Sequence, residues 1–123
     1  MRSNRQYLLP KEIYHQTQWL IRSYPWKKAA YEAAIGKAVV MDGQPKGSGT
    51  SDPTVRDTEE RLKYHDDVTA VEKALEKLPR EYRSGIFNAV VYRSSYPDYA
   101  GIATWKRWRQ RFVYWTAFFR GYV

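Results

Sequence analysis

The sequence predicts an all-helical protein of five or six helices. Apolar residues recur at steps of three and four along most of the chain, the spacing that places them on one side of a helix. Proline and glycine stand between these segments, where they start or end helices. Hydrophobic residues make up 43% of the chain, which excludes a disordered protein. We therefore expect three regions, at 1–40, 41–51 and 52–123.

The first region, 1–40, is predicted to be an antiparallel helical hairpin. Pro10 suits the first turn of a helix that runs to about Ser23. Pro25 is expected to break the chain, because the residue before a proline avoids the helical conformation. A second helix follows from about Trp26 to Ala38, and small alanines on its packing side allow close approach to the first helix.

Residues 41–51 are predicted to be a flexible linker, since MDGQPKGSGT holds three glycines and a proline among polar residues. Gly43, Lys46, Gly47 and Gly49 raise the alternative of a phosphate-binding loop. Such a loop would follow a strand and end in Gly-Lys with Ser or Thr after it, and neither condition holds.

A third helix is predicted to begin at Pro53, with Ser51 or Asp52 as its cap, and to run to Leu78. A break near Asp66 is the alternative to one long helix. Its apolar positions are Tyr64, Val68, Val71, Leu75 and Leu78. Its acidic positions are Asp57, Glu59, Glu60, Asp66 and Asp67. We expect these acids to form a solvated face and not a metal or acid–base site, because only His65 accompanies them and adjacent helical positions point to different sides.

Pro79 is expected to end that helix, and Arg80 or Glu81 to begin the next. Its predicted buried side carries Tyr82, Ile86, Phe87 and Val90. Gly85 weakens the helix by about 1 kcal/mol and leaves room for a close helix contact. The sequence YRSSYPDY at 92–99 then predicts a turn, and a short helical piece from Pro97 to Ala100 fits before Gly101.

The run TWKRWRQRFVYWTAFF, residues 104–119, predicts one helix of about four turns with Thr104 as N-cap and Gly121 as C-cap. An apolar stripe is expected to face the core: Trp105, Trp108, Phe112, Trp115 and Phe119. The other positions of the first half are basic or amide: Lys106, Arg107, Arg109, Gln110 and Arg111. Such a helix suits phosphates and base edges, and a membrane surface or a partner protein is the alternative.

Positive charge is concentrated at both ends of the chain. The net charge is +5 over residues 1–51, −3 over 52–78 and +6 over 80–123. Clustered charge of one sign raises the local potential, so a polyanion would be attracted to the two ends. There is no cysteine, no secretory apolar run and no apolar window long enough to span a bilayer, so we expect a cytoplasmic protein with no membrane partner.

The short helical piece at Pro97–Ala100, a turn containing Gly101 and the basic helix from Thr104 give a helix-turn-helix signature. LPREYRSGIF at 78–87 and TWKRWRQRF at 104–112 resemble the sigma-70 region 4 type of helix-turn-helix. The chain as a whole resembles the small phage and prophage regulators related to RinA and ArpU, activators of late phage transcription. LLPKEIYHQTQWLIRSYP near the start and GSGTSDPT in the middle extend this likeness over most of the chain.

The resemblance implies that 52–123 holds a sigma region 4-like unit whose helix from Thr104 enters the major groove. The residues it places on DNA are Thr104, Trp105, Lys106, Arg107, Arg109 and Gln110, with Arg111 on phosphate. We expect sequence-specific binding of double-stranded DNA in the control of phage or prophage transcription, in which Lys and Arg contact phosphates while Arg109 and Gln110 read bases.

No catalytic chemistry, cofactor or metal is expected, because His15 and His65 are isolated and no Ser, His and Asp arrangement is indicated. Two other functions stay open. One is a DNA-recognition subunit of a phage packaging or assembly machine. The other is a module that binds RNA polymerase through the tryptophan stripe, which makes RNA polymerase a second candidate partner. The sequence leaves the oligomeric state open.

Overall fold

Five α-helices account for most of the chain in the computed structural model, which describes the backbone of residues 5–41 and 51–123 and the side chains of residues 6–33 and 64–123. They are α1 (Lys11–Arg22), α2 (Tyr24–Met41), α3 (Ser51–Glu76), α4 (Arg80–Tyr92) and α5 (Ile102–Arg120), and a 3-10 turn at Arg5–Tyr7 precedes them. The described residues form no strand. The all-helical fold class is confirmed. The predicted linker at 41–51 lies, apart from its first and last residues, outside the described residues.

Prolines lie at or near the helix starts, but α2 begins at Tyr24 and not after Pro25 as predicted. Pro10 and Pro79 are the N-cap residues of α1 and α4, with φ of −54° and −57°. Pro25 is the second residue of α2, where its missing N–H is not needed for an intrahelical hydrogen bond. Pro53 lies in the first turn of α3, which continues to Glu76 without the alternative break near Asp66.

The predicted hairpin of α1 and α2 is not confirmed. Ser23 alone joins the two helices, and its own backbone is helical, with φ −82° and ψ −6°. The Ser23 carbonyl accepts a hydrogen bond from the Lys27 amide, 3.0 Å away. A helical hairpin needs a connection of about two to five residues. α2 instead makes most of its contact with α3, while α1 packs on α5.

α5 occupies the centre of the fold and contacts α1, α3, α4 and the N-terminal turn. The buried core contains Leu20, Ile21, Val71, Ala74, Leu78, Ile86, Val90, Trp105, Phe112 and Val113. The predicted tryptophan stripe faces this core: Trp105 and Phe112 are fully buried, and Trp108, Trp115 and Phe119 are partly buried against it. The basic helix is thus a central element with little free surface.

One member of the predicted solvated acidic face is buried. Asp67 is only 5% exposed. Its carboxylate lies 2.6 Å from Nζ of Lys27 on α2 and 2.5 Å from Nε of Arg120 on α5. The expectation for Asp67 is therefore wrong, because two cations on neighbouring helices satisfy the charge. Its neighbour Asp66 is exposed, as predicted.

The segment between α4 and α5 differs from the prediction. No helix forms between Pro97 and Ala100, where only a turn and a bend occur. Arg93 ends α4 in the left-handed conformation, with φ 56°. The hydroxyl of Tyr99 donates to the carbonyl of Glu81, which ties this segment to the start of α4. Residues 93–101 form a longer connection than the turn of about three or four residues in a helix-turn-helix, and the predicted motif is not confirmed.

Candidate nucleic-acid interface

α5 begins three residues before its predicted start, since its cap is Gly101 and not Thr104. Gly101 is its N-cap residue, with extended backbone and no side-chain hydrogen bond to the helix. Thr104 therefore lies within the first turn and is not the cap, because Ile102 and Ala103 extend the helix and glycine is about as favourable at this position as threonine. At the other end Gly121 closes the helix in the left-handed conformation, with φ 87°, as predicted.

Trp105 cannot face DNA, because its side chain is fully buried. The ring of Tyr96 stacks on it, with centroids 5.7 Å apart and planes 3° from parallel. Tyr82 and Tyr99 meet it edge-on at 5.1 and 5.3 Å. Gly85 admits the indole, since a Cβ there would lie 2.7 Å from two of its ring carbons. Trp105 is a core anchor of α4 and α5, and the DNA-facing role that the resemblance implied for it is wrong.

Apart from Arg109, the other predicted DNA-facing residues divide into two groups. Three lie near the start of α5, where Lys106 is exposed and Thr104 and Arg107 are partly buried. Two contact the N-terminal turn. The amide of Gln110 donates to the carbonyl of Tyr7 over 3.5 Å. The guanidinium of Arg111 lies over the rings of Tyr7 and Trp108, 4.7 and 5.0 Å from their centroids. Because its amide is bonded to the N-terminal turn, Gln110 is not oriented to read a base.

Arg109 points toward the interior of the protein. Trp105, four residues before it, and Phe112, three residues after it, are both fully buried, and Arg109 shares their side of the helix. One guanidinium nitrogen lies 3.4 Å from the hydroxyl of Tyr96. Nε is buried and has no hydrogen-bond partner among the described residues. Burial acts against its charge, but contacts with the phenols of Tyr96 and Tyr14 outweigh burial and raise the pKa of Arg109, which keeps it cationic.

The positive charges of two other arginines, Arg93 at the end of α4 and Arg109 on α5, act on Arg22 in the last turn of α1. We call these residues the three-arginine cluster. Burial, together with the charges of Arg93 and Arg109, lowers the pKa of Arg22. No carboxylate lies within ion-pair distance of any of the three in the described part of the chain. The cluster is a concentrated positive charge that these residues leave uncompensated.

Arg22 also has a structural role within the cluster. Its Nε donates to the carbonyl of Val90 in the last turn of α4, 3.1 Å away. Its guanidinium lies 5.8 Å from the ring of Trp19, which is 66% exposed. The bond to Val90 uses one of the five N–H donors of the guanidinium. An exposed aromatic ring therefore lies beside Arg22.

A cleft of about 420 Å³ adjoins the cluster. Its walls are Leu8 and Leu9 before α1, Tyr14 on α1, Tyr96 between α4 and α5, and Lys106, Arg109 and Gln110 on α5. Lys106 thus stands beside Arg109 and extends the basic surface toward solvent. Among the described residues, no three His, Cys, Asp or Glu side chains come together as a metal site.

Sequence reasoning missed Arg22, Arg93 and the two tyrosines of the cleft. The charge count pointed to both ends of the chain, but it could not show that α1 and α4 end at the same place. One signal was available for Arg109. Its spacing of four from Trp105 and three to Phe112 placed it on the apolar side of α5.

None of the helices in the described ranges is both long enough and apolar enough to cross a bilayer. Comparison with protein-family models, with curated proteins and with solved structures yields no match to this chain.

Proposed function

We propose that this protein binds double-stranded DNA through the surface where the ends of α1 and α4 meet the first half of α5, and that it does so in the control of phage or prophage transcription. The observation that carries the proposal is the place of Arg22: its Nε reaches the Val90 carbonyl at the end of α4, and the charges of Arg93 and Arg109 act on it. None of the three arginines has a carboxylate partner in the described residues. The resemblance of the sequence to prophage regulators supports the regulatory role.

The energetics of the cluster favour a polyanionic partner. Bringing like charges together in a partly buried place costs free energy, and the lowered pKa of Arg22 reflects that cost. Phosphates of a nucleic acid would offset it through charge-assisted hydrogen bonds, to which guanidinium groups are well suited. The same contacts release counterions, so binding should weaken steeply with salt.

We propose that phosphate contact and base contact fall to different residues than the sequence suggested. Arg109 faces inward and Gln110 is held by the N-terminal turn, so neither is placed to reach a groove. Lys106 is exposed and Thr104 and Arg107 are partly exposed, so a sequence preference would come from these three residues. We therefore expect phosphate binding to provide most of the affinity.

The module that binds RNA polymerase loses the tryptophan stripe as its predicted surface, because the stripe faces the core. Other exposed apolar side chains offer a surface for it: Tyr99, just before α5, and Ile102, its first residue, are 60% and 64% exposed. Exposed aromatic and aliphatic groups of this kind are common at protein interfaces. A surface that contacts both DNA and polymerase is compatible with transcription control.

DNA binding is tested by fluorescence anisotropy with a labelled random duplex between about 50 and 200 mM salt. The variant Arg93→Asn/Lys106→Ala removes two exposed charges, and asparagine tolerates the left-handed backbone of residue 93. We expect weaker binding and a salt slope lower by about two units. The matched control is Lys73→Ala/Arg80→Ala, which loses the same charge from exposed positions on α3 and the start of α4. Equal effects of the two variants, or binding without salt dependence, would remove the cluster as the DNA site.

The regulatory role is tested by recovering DNA and proteins bound to the tagged protein in cells that carry its gene. Transcription control predicts enrichment near phage promoters. Enrichment at a packaging site, together with a ring-shaped assembly, would instead support the packaging subunit. Recovery of RNA polymerase after nuclease treatment, without DNA enrichment, would support the polymerase-binding module.

A further inference from the structure

The cleft beside the three-arginine cluster combines a cationic end with apolar and aromatic walls. Lys106 and Arg109 supply the charge, and Leu8, Leu9 and the rings of Tyr14 and Tyr96 supply the rest of the lining. Its volume of about 420 Å³ falls within the range of about 300–1,000 Å³ typical of small-molecule sites. This shape suits a ligand with a strongly anionic group and a flat ring.

Arg109 is the reason to expect an anion there. The side chain is half-buried between fully buried neighbours on α5, and its contacts are the neutral phenols of Tyr96 and Tyr14. The hydrogen bond to Tyr96 is long, at 3.4 Å, and Nε has no partner among the described residues. A cation removed from water in this way is costly unless an anion accompanies it.

Phosphate fits these groups better than a carboxylate. Two cations line the same cleft, and a phosphate monoester carries about −1.5 to −2 charges where a carboxylate carries one. Tyrosine rings offer faces on which a base can stack, with a contribution of about 1–3 kcal/mol per base. The tyrosine hydroxyls can in addition bond to polar edges of a ring or to the phosphate.

We propose that this cleft binds a single nucleotide, with the phosphate at Arg109 and Lys106 and the base between the leucines and the tyrosine rings. The source is either a free mononucleotide or the unpaired terminal nucleotide of a nucleic-acid strand. This site goes beyond duplex binding and does not depend on it, because it needs only the cleft.

The test is calorimetric titration of the full chain with adenosine monophosphate, adenosine, inorganic phosphate and a 5′-phosphorylated trinucleotide. We expect the mononucleotide to bind about tenfold more tightly than adenosine or phosphate alone, since each part adds its own contacts. If the trinucleotide binds much more tightly than the mononucleotide, the strand end is the source, and equal affinity indicates the free nucleotide. Equal binding of phosphate and mononucleotide, or no binding of either, would overturn the proposal.

Two substitutions at exposed positions test the site without disturbing the core. Leu8 lines the cleft and is 62% exposed. The variant Leu8→Glu places a carboxylate there, and Leu8→Gln is its neutral control. We expect the glutamate variant to lose about tenfold in mononucleotide affinity and the glutamine variant to keep most of it. Lys106→Ala should weaken binding to a similar degree, whereas Arg80→Ala should not.

Loss of the same affinity in the glutamine and glutamate variants, or in Lys106→Ala and Arg80→Ala alike, would refute an electrostatic contact at the cleft. Duplex affinity is measured in parallel by anisotropy. A protein that binds duplex but no mononucleotide would overturn the cleft and leave the proposed function standing. A protein that binds the mononucleotide but no duplex would overturn the proposed function and leave the cleft standing.

Discussion

Asp67 is expected to be the charged residue on which the stability of the fold depends most. Its side chain is 7% exposed and pairs with Lys27 and Arg120, so it joins α3 to α2 and to α5. Asp67→Asn keeps the size of the side chain and removes the negative charge. Two cations then remain beside each other in a poorly hydrated place.

The expected loss follows from the burial of the three groups. Removing one partner of a buried ion pair costs about 3–5 kcal/mol, whereas an exposed pair contributes about 0–1 kcal/mol. Lys27 and Arg120 retain 15% and 27% side-chain exposure, so both can turn partly toward water after the substitution. We therefore expect a loss of about 3 kcal/mol in the free energy of unfolding, and a fall in Tm of about 10 °C.

Urea unfolding followed by circular dichroism measures this loss. The matched control is Asp66→Asn, on the same helix, where the side chain is 60% exposed and lies 3.5 Å from His65. We expect the control to change stability by less than about 0.5 kcal/mol. If the two variants unfold at the same urea concentration, the buried ion pairs do not stabilise the fold.

A double-mutant cycle separates the ion pair from general damage. Lys27→Met removes a paired cation from the wild type but an unpaired one from Asp67→Asn. The substitution should therefore cost less in the second background, with a coupling energy of about 1–3 kcal/mol. Additive effects would mean that Asp67 and Lys27 act independently, which contradicts their 2.6 Å contact.

Two further predictions follow from the packing and the pH response. Gly85→Ala should destabilise the protein by about 2 kcal/mol despite the better helix propensity of alanine, because its Cβ would lie 2.7 Å from the Trp105 ring; thermal unfolding should show little change for the exposed neighbour Ser84→Ala. Burial raises the pKa of Glu72, but hydrogen bonds from Tyr24 and Lys28 outweigh burial and lower it below its ordinary value. Glu72 therefore stabilises the fold above its unfolded pKa, and this contribution is lost as pH falls through its folded pKa. Urea midpoints measured from neutral to acidic pH should fall less steeply for Glu72→Gln than for the wild type.

The helices could be predicted from sequence because their signals are local. Pro10, Pro25 and Pro79 mark three helix starts, and Gly121 marks the end of α5. The apolar spacing identified the side of α5 that faces the core. The start of α5 was misplaced because Thr104 and Gly101 are comparable caps, so local chemistry did not choose between them.

The arrangement of the helices could not be predicted in the same way. A single residue, Ser23, decides whether α2 folds back on α1 or continues away from it, and its backbone conformation leaves no mark on composition. The connection after Arg93 likewise owes its path to tertiary contacts, such as the hydroxyl of Tyr99 on the carbonyl of Glu81. Arg22 and Arg93 come close because of the helix arrangement, and the sequence around each residue does not reveal it.

Asp67 and Arg109 both place a charge on the apolar side of a helix, but only Asp67 has partners of opposite charge among the described residues. Each is a charged residue on an apolar helix side: Asp67 stands four residues before the buried Val71, and Arg109 four residues after the buried Trp105. Two cations on other helices pair with Asp67. In the described residues, Arg109 contacts the phenols of Tyr96 and Tyr14 and has no carboxylate within ion-pair distance. A charge on an apolar helix side without a compensating partner is expected at functional sites. For that reason Arg109, although it faces inward and reads no base, is the residue that most directly indicates an anionic partner.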